Sequence, residues 1–272
     1  CISDATPTDP SILFELHPGA NLVSFPADGS VDLGAGLPDD IESYVSGIIG
    51  EGVAANYNGS EWMGSLTAFN GGKGYWMITE QSISFAYDVS SMSRIKFEDE
   101  VGLTAPDNKA IYQSTNQAFY FIEDVAMDGI PISNGDWILS YNGKNMVGAR
   151  QWNGDILDIP AMGQDDNFET DGYCSNGSMI TIKVQQNTTG KIYQIMDAIP
   201  VWKNNEIFNL GQLSAREIPS ETLIISAYPN PFNPVTNITF GIENDALVSV
   251  KVFDVTGREI ADLANGVYSA GY

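Results

Sequence analysis

The chain has 272 residues, with 12 Lys and Arg against 35 Asp and Glu, a formal net charge of −23. That length accommodates two or three domains of ordinary size, and 43% hydrophobic with 11% aromatic residues excludes disorder. The scarcity of cations excludes a general affinity for nucleic acid or an anionic membrane surface, and no apolar run has the length of a membrane span.

Residues 1–11 are polar with two prolines and read as a linker. Segments 12–16 and 21–26 are apolar and flank His17-Pro18-Gly19, which predicts two strands paired around a turn. Pro38-Asp39-Asp40 predicts the one convincing helix start. Ile41, Tyr44, Val45 and Ile48 follow at helical spacing, with acids in the first turn where the helix dipole favours them. Short strands follow at 53–57, 62–66, 74–78 and 83–87, and the first module, 12–91, ends there.

A second module, 92–200, has predicted strands at 117–123, 137–141, 146–151, 179–185 and 191–196. Asp128-Gly129, Asn142-Gly143 and Asn153-Gly154 supply the positive φ that tight hairpins need. Residues 201–222 read as a second linker, and 223–272 as a C-terminal module. A local echo links Tyr57-Asn58-Gly59…Met63-Gly64-Ser65 with Tyr141-Asn142-Gly143…Val147-Gly148-Ala149. The segments around them differ, so the echo reads as a shared hairpin type and not a duplicated domain. The expected fold class is mainly β: tandem small β-rich modules, one short helix in the first, followed by an incomplete β-sandwich.

Catalytic signatures are absent. The one histidine, His17, lies in a turn, and no G-x-S-x-G elbow accompanies it. Gly71-Gly72-Lys73-Gly74 fails the phosphate-loop pattern, because Thr67 and Gly74 stand where a glycine and a Ser/Thr are required. No carboxylate pair is singled out, so the protein is expected not to be an enzyme. Asp165, Asn167, Glu169 and Asp171 place oxygen side chains at every second position of one loop, a candidate calcium site. Asp155 and Asp158 would add ligands if that loop folded back. Trp62, Trp76, Trp137 and Trp152 lie on or beside predicted strands and form a candidate carbohydrate platform, against the alternative that they fill cores. Cys1 is either lipid-modified at a processed N-terminus or bonded to Cys174, and the disulfide is the expectation in an oxidising compartment.

The C-terminal region carries the most specific motif. Tyr228-Pro229-Asn230-Pro231-Phe232-Asn233-Pro234 cannot lie inside a helix or central strand. It precedes an alternating run, 235–240, then Val248-Ser249-Val250-Lys251-Val252-Phe253-Asp254 and Thr256-Gly257-Arg258-Glu259-Ile260. This order resembles the C-terminal sorting module of bacterial type IX secretion substrates. The resemblance implies an immunoglobulin-like β-domain, export, and an extracellular or cell-surface location. Members of that family continue past a Gly-Tyr such as Gly271-Tyr272, so the missing strands are expected to have been cut away, left out or supplied by another chain. Glu15-Leu16…Asn21-Leu22-Val23-Ser24-Phe25-Pro26, Gly72-Lys73-Gly74-Tyr75-Trp76 and Gly135-Asp136-Trp137-Ile138 through Ile159-Pro160-Ala161-Met162-Gly163 resemble modules of secreted bacterial surface proteins. The functional expectation is a structural subunit of a surface filament, sheath or layer, polymerising with itself or with other surface proteins. The alternative is a carbohydrate-binding or adhesin segment of a larger secreted protein.

Overall fold

A computed structural model describes residues 9–93, 105–106, 110–231, 233–268 and 270–272. The chain is mainly β, as its strand-rich, turn-punctuated sequence predicts.

The first module contains β1 (Phe14–Leu16), β2 (Gly19–Ser24), β3 (Ser30–Asp32), α1 (Leu33–Gly36), α2 (Asp39–Glu42) and β4 (Val45–Ile49). It continues with β5 (Ala54–Tyr57), β6 (Trp62–Gly64), β7 (Ala68–Asn70), β8 (Gly74–Thr79) and β9 (Ile83–Phe85). Five strands form a sheet in the order β2-β8-β4-β5-β6, while β1 pairs with β9 and β3 with β7. Two expectations are corrected here. β1 and β2 do not pair with each other, because Asn21 makes a corner between them: its Oδ1 accepts from His17 N, and its Nδ2 donates to His17 O and Gly19 O. The helix predicted to run from Pro38 through Ile48 is a single turn, Asp39–Glu42. Val45, Ile48 and Ile49 are β-branched residues that strands accept readily, and pairing with both β5 and β8 buries all three.

The second module contains β10 (Gln117–Met127), β11 (Ile130–Pro131), β12 (Trp137–Asn142), β13 (Asn145–Gln151) and β14 (Leu157–Met162). Beyond a 3-10 turn at Phe168–Thr170 come β15 (Ile180–Gln185), β16 (Ile192–Ile195) and β17 (Ile207–Ile218). Their sheet order is β11-β10-β17-β16-β15-β12-β13, with β14 also paired to β10. The sheet curls until β13 and β14 meet. There Ser140 Oγ, on β12, donates to Pro160 O of β14 at 2.6 Å, and Arg150 Nε, on β13, donates to Asp158 O at 3.3 Å.

The segment read as the linker 201–222 holds β17, a twelve-residue strand that pairs with β10 and β16. Gly211, at φ +66°, lies where the β10 register shifts, and this bulge breaks the alternation that would have marked a strand. β14 is a strand absent from the sequence expectation, because Pro160 sits within it. The strand makes its ladder with β10 alone, so the missing N–H costs nothing on the other side.

β10 opens with six buried residues, Gln117 to Ile122. Tyr120 and Ile122 enter the core of the second module, whereas Phe119 and Phe121 pack with Ile49 and Ala54 of the first. A strand covered on both faces reads as a continuous apolar run. Here the second cover is the neighbouring module.

The last strands are β18 (Leu223–Tyr228), β19 (Asn237–Gly241), β20 (Ala246–Phe253) and β21 (Glu259–Tyr268). They form two antiparallel hairpins, β18-β19 and β20-β21. Phe240 and Tyr268 meet edge to face across them, with centroids 5.9 Å apart. Pro229, Pro231 and Pro234 lie in the β18–β19 connection, as their chemistry requires.

Candidate functional site

Three regions place chemistry-bearing side chains together: the seam between the modules, the acidic loop, and the C-terminal hairpins.

At the seam, Asp158 on β14 and Arg150 on β13 are almost fully buried, with Arg150 Nη2 3.6 Å from Asp158 Oδ2. Both reach into the first module. Asp158 Oδ1 accepts from Ser65 N at 2.9 Å, and Oδ2 accepts from Ser65 Oγ at 2.6 Å and Ala54 N at 3.2 Å. Arg150 Nη2 donates to Gly52 O at 2.5 Å. Gln117 adds a two-way amide bond, Nε2 donating to Gly50 O and Oε1 accepting from Gly52 N. Burial pushes the Asp158 carboxyl up, while Arg150, Ser65 and the Ala54 N–H pull it the other way. Every neighbour of this carboxylate is a donor, so it acts as a connector: it accepts from Ser65 N, and shares the Ala54 N–H with Ser65 Oγ. Asp158 is therefore committed to the seam and unavailable to a calcium loop.

In the acidic loop the four predicted calcium ligands are occupied with one another and with the loop's own backbone. Asp165 Oδ2 accepts from Ser114 Oγ, Thr115 N and Thr115 Oγ1, and Oδ1 accepts from Asn167 N and Thr170 Oγ1. Asn167 caps the 3-10 turn by accepting from Glu169 N, its Nδ2 donates to Glu169 Oε2, and Gln164 Nε2 donates to Asp171 Oδ1. Among the described residues no three His, Cys, Asp or Glu side chains are grouped to hold one ion. Asp165 works as a latch between this loop and residues 114–115. Burial would raise its pKa, but the hydrogen bonds from Thr115, Asn167, Thr170 and Ser114 prevail and hold it at about 2.

A depressed carboxylate stabilises the fold above its ordinary value of 3.8, and that contribution is lost as pH falls through about 2. Asp165→Asn is accordingly expected to shallow the acid limb of a stability–pH curve between about pH 5 and 2. Melting temperatures of both proteins across that range, with EDTA and with Ca²⁺, check this. The latch reading expects no calcium-dependent shift in either.

The four tryptophans do not share a face. Trp152 is buried in the second core and Trp137 packs against it, while Trp76 packs at the contact between modules. Trp62 faces a cleft, with Tyr57 beside it. Cys174 is 1% exposed, and burial pushes its thiol up to about 12. Cys1, its expected disulfide partner, lies outside the described residues. His17 is an exposed turn residue whose Nδ1 is 3.0 Å from Pro18 O.

The C-terminal hairpins differ from everything before them. All six residues of β18 are exposed, and Ile224, Tyr228, Leu247, Phe253, Val255 and Val267 are each more than half exposed. Between the hairpins lies a groove of about 510 Å³, bordered by Leu223, Ile224, Phe240, Val250, Lys251 and Phe253.

Residues 226–270 match the family of secretion system C-terminal sorting domains. The match covers these hairpins and supports export by the type IX route, hence a secreted or cell-surface bacterial protein. Neither a curated protein nor a solved structure matched the chain. No helix among the described residues is long and apolar enough to cross a membrane.

Proposed function

We propose that this chain is a non-enzymatic structural subunit of a bacterial surface assembly, carried out of the cell by its C-terminal sorting hairpins. The observation that carries the reading is the contrast between its two parts. The described residues between 12 and 218 form two β-modules joined by a buried, hydrogen-bonded seam, which suits a load-bearing unit. The hairpins at 223–272 leave apolar strand faces uncovered, which suits a segment engaged by other chains. The facing hairpins are read as part of an immunoglobulin-like sandwich, and copies of the same protein or other surface proteins are the proposed partners.

Export and assembly are tested separately. Deleting residues 226–270 in a bacterium with a type IX system is expected to retain the protein inside the cell. Immunoblots of medium and surface fractions that show undiminished export would refute the sorting role. For assembly, the full chain at high concentration is expected to sediment as oligomers, and Leu247→Asp with Val267→Asp is expected to return it to monomer. A chain that stays monomeric throughout, and gives no ordered particles on the native surface by electron microscopy, contradicts the structural reading.

A further inference from the structure

A further cleft lies outside the seam and the hairpins. It holds about 310 Å³ beside the β5–β6 hairpin, and Asp32, Gly34, Glu42, Tyr57, Glu61 and Trp62 are among its lining residues. That volume is at the small end of the roughly 300–1,000 Å³ range of ligand pockets.

The cleft is built around two rings. Strand register sets Tyr57 directly opposite Trp62, with centroids 5.1 Å apart and planes inclined at 42°, so the rings form an open wedge. The indole is held in place, since Nε1 donates to Glu42 Oε1 at 2.8 Å. The turn between the strands is held too, because Asn58 Oδ1 accepts from Ser60 N, Ser60 Oγ and Glu61 N. A wedge already ordered before binding loses little conformational entropy when a ligand arrives. Gly34 forms part of the floor: a Cβ there would stand 3.5 Å from Glu42 Oε1 and 3.9 Å from Trp62 Cδ1.

The rim is selective in its chemistry. Asp32, Glu42 and Glu61 surround the rings, and no Lys, Arg or His lines the cleft. Among the described residues the side chains of Asp32 and Glu61 have no hydrogen bond or ion pair of their own. Such a site offers an apolar aromatic face together with strong acceptors. It lacks any cation to receive an anion.

We propose that the Tyr57–Trp62 cleft binds an uncharged pyranose unit of a glycan. The C–H face of the sugar stacks on the aromatic wedge, and its hydroxyls donate to Asp32, Glu42 and Glu61. The same carboxylates repel sialylated and other anionic sugars. This site stands apart from the sorting hairpins and does not depend on the export route or on assembly.

Isothermal titration of the full chain tests it with neutral probes (cellobiose, mannobiose, N,N′-diacetylchitobiose), an anionic probe (3′-sialyllactose) and an ammonium probe (Nα-acetyl-lysine amide). At least one neutral disaccharide is expected to bind at roughly millimolar affinity or tighter, with the anionic sugar at least about tenfold weaker. Trp62→Ala is expected to weaken the neutral probe at least about tenfold. Because Trp62 also packs against the first core, Gly34→Val serves as a second variant that fills the floor while retaining the indole side chain. Asp32→Asn with Glu61→Gln is expected to narrow the gap between neutral and anionic sugars. The proposal is overturned if no neutral probe binds or if binding survives both Trp62→Ala and Gly34→Val. It is equally overturned if the ammonium probe binds in preference to every sugar, which would make the cleft a cation cage.

Discussion

Asp158→Ala is expected to lower the unfolding free energy by about 3–5 kcal/mol, the usual cost of leaving one member of a buried ion pair uncompensated. Three consequences coincide. Arg150 loses its counter-ion in a site where it is 7% exposed, and Ala54 N and Ser65 N lose the carboxylate they donate to. The first module also loses a polar tie to β14. Asp158→Asn is expected to be milder but still destabilising, since its NH₂ would face donors on one side. Urea unfolding measures the loss, and a cycle with Arg150→Met separates its parts. The double variant should be markedly more stable than the sum of the two single losses, because removing both charges leaves neither buried alone. A loss below about 1 kcal/mol for Asp158→Ala would mean the seam is not held this way. The unfolding profile carries further information: the wild type is expected to unfold in one transition, and Asp158→Ala in two as the modules uncouple.

Gly148→Ala is expected to cost about 3 kcal/mol, at the upper end for overpacking. A Cβ on Gly148 would overlap the Pro160 carbonyl oxygen and lie 2.5 Å from Ser140 Oγ. Pro160 is in a backbone ladder with β10, paired to Phe119, so it cannot retreat without moving a strand buried on both faces. Ser140 on β12, the ladder partner of Gly148, donates its Oγ to the same Pro160 O, so pushing β14 away would also break that bond. Thermal unfolding of Gly148→Ala against an exposed-turn control such as Gly143→Asn isolates the effect, because nothing lies within 4 Å of a Cβ at Gly143. Equal stability of the two variants would refute the close approach.

These two expectations also explain the echo between the hairpins at 57–65 and 141–149. Gly64 and Gly148 occupy matching places, and each lies where another chain segment comes too close for a side chain. A Cβ at Gly64 would meet Ala54 O and stand 3.0 Å from the Phe121 ring, across the contact between modules. The shared pattern is thus a shared solution to close approach, and the two hairpins sit in sheets of different strand order.

Much of the local structure was legible in the sequence, and the reasons are local. Asn58-Gly59 and Asn142-Gly143 announce turns because Gly59 and Gly143 need φ of +96° and +58°. Alternation marks β15, whose residues alternate buried and half-buried. The three prolines between Tyr228 and Val235 can only stand outside a strand ladder, and the sorting motif they open is specific enough to be read directly. Acidity and the mainly β class likewise follow from composition and short-range pattern.

Tertiary structure decided whatever depends on partners distant in sequence. Val45 and Ile48 fit helical spacing, yet pairing with β5 and β8 makes them part of a strand. Residues 207–218 look like a linker until β10 and β16 supply ladders on either side. Asp158 is one of 35 acids and looked like a spare calcium ligand. Its role comes from Ala54 and Ser65, about a hundred positions earlier, and from Arg150 across the seam. Four tryptophans offered equal claims to a ligand, and only folding placed Trp62 in a cleft while Trp152 went into a core. The physical reason is common to all of these. Turn chemistry and strand propensity act over a few residues, whereas burial, ladder pairing and the coupling of charges depend on atoms that only the fold brings into range.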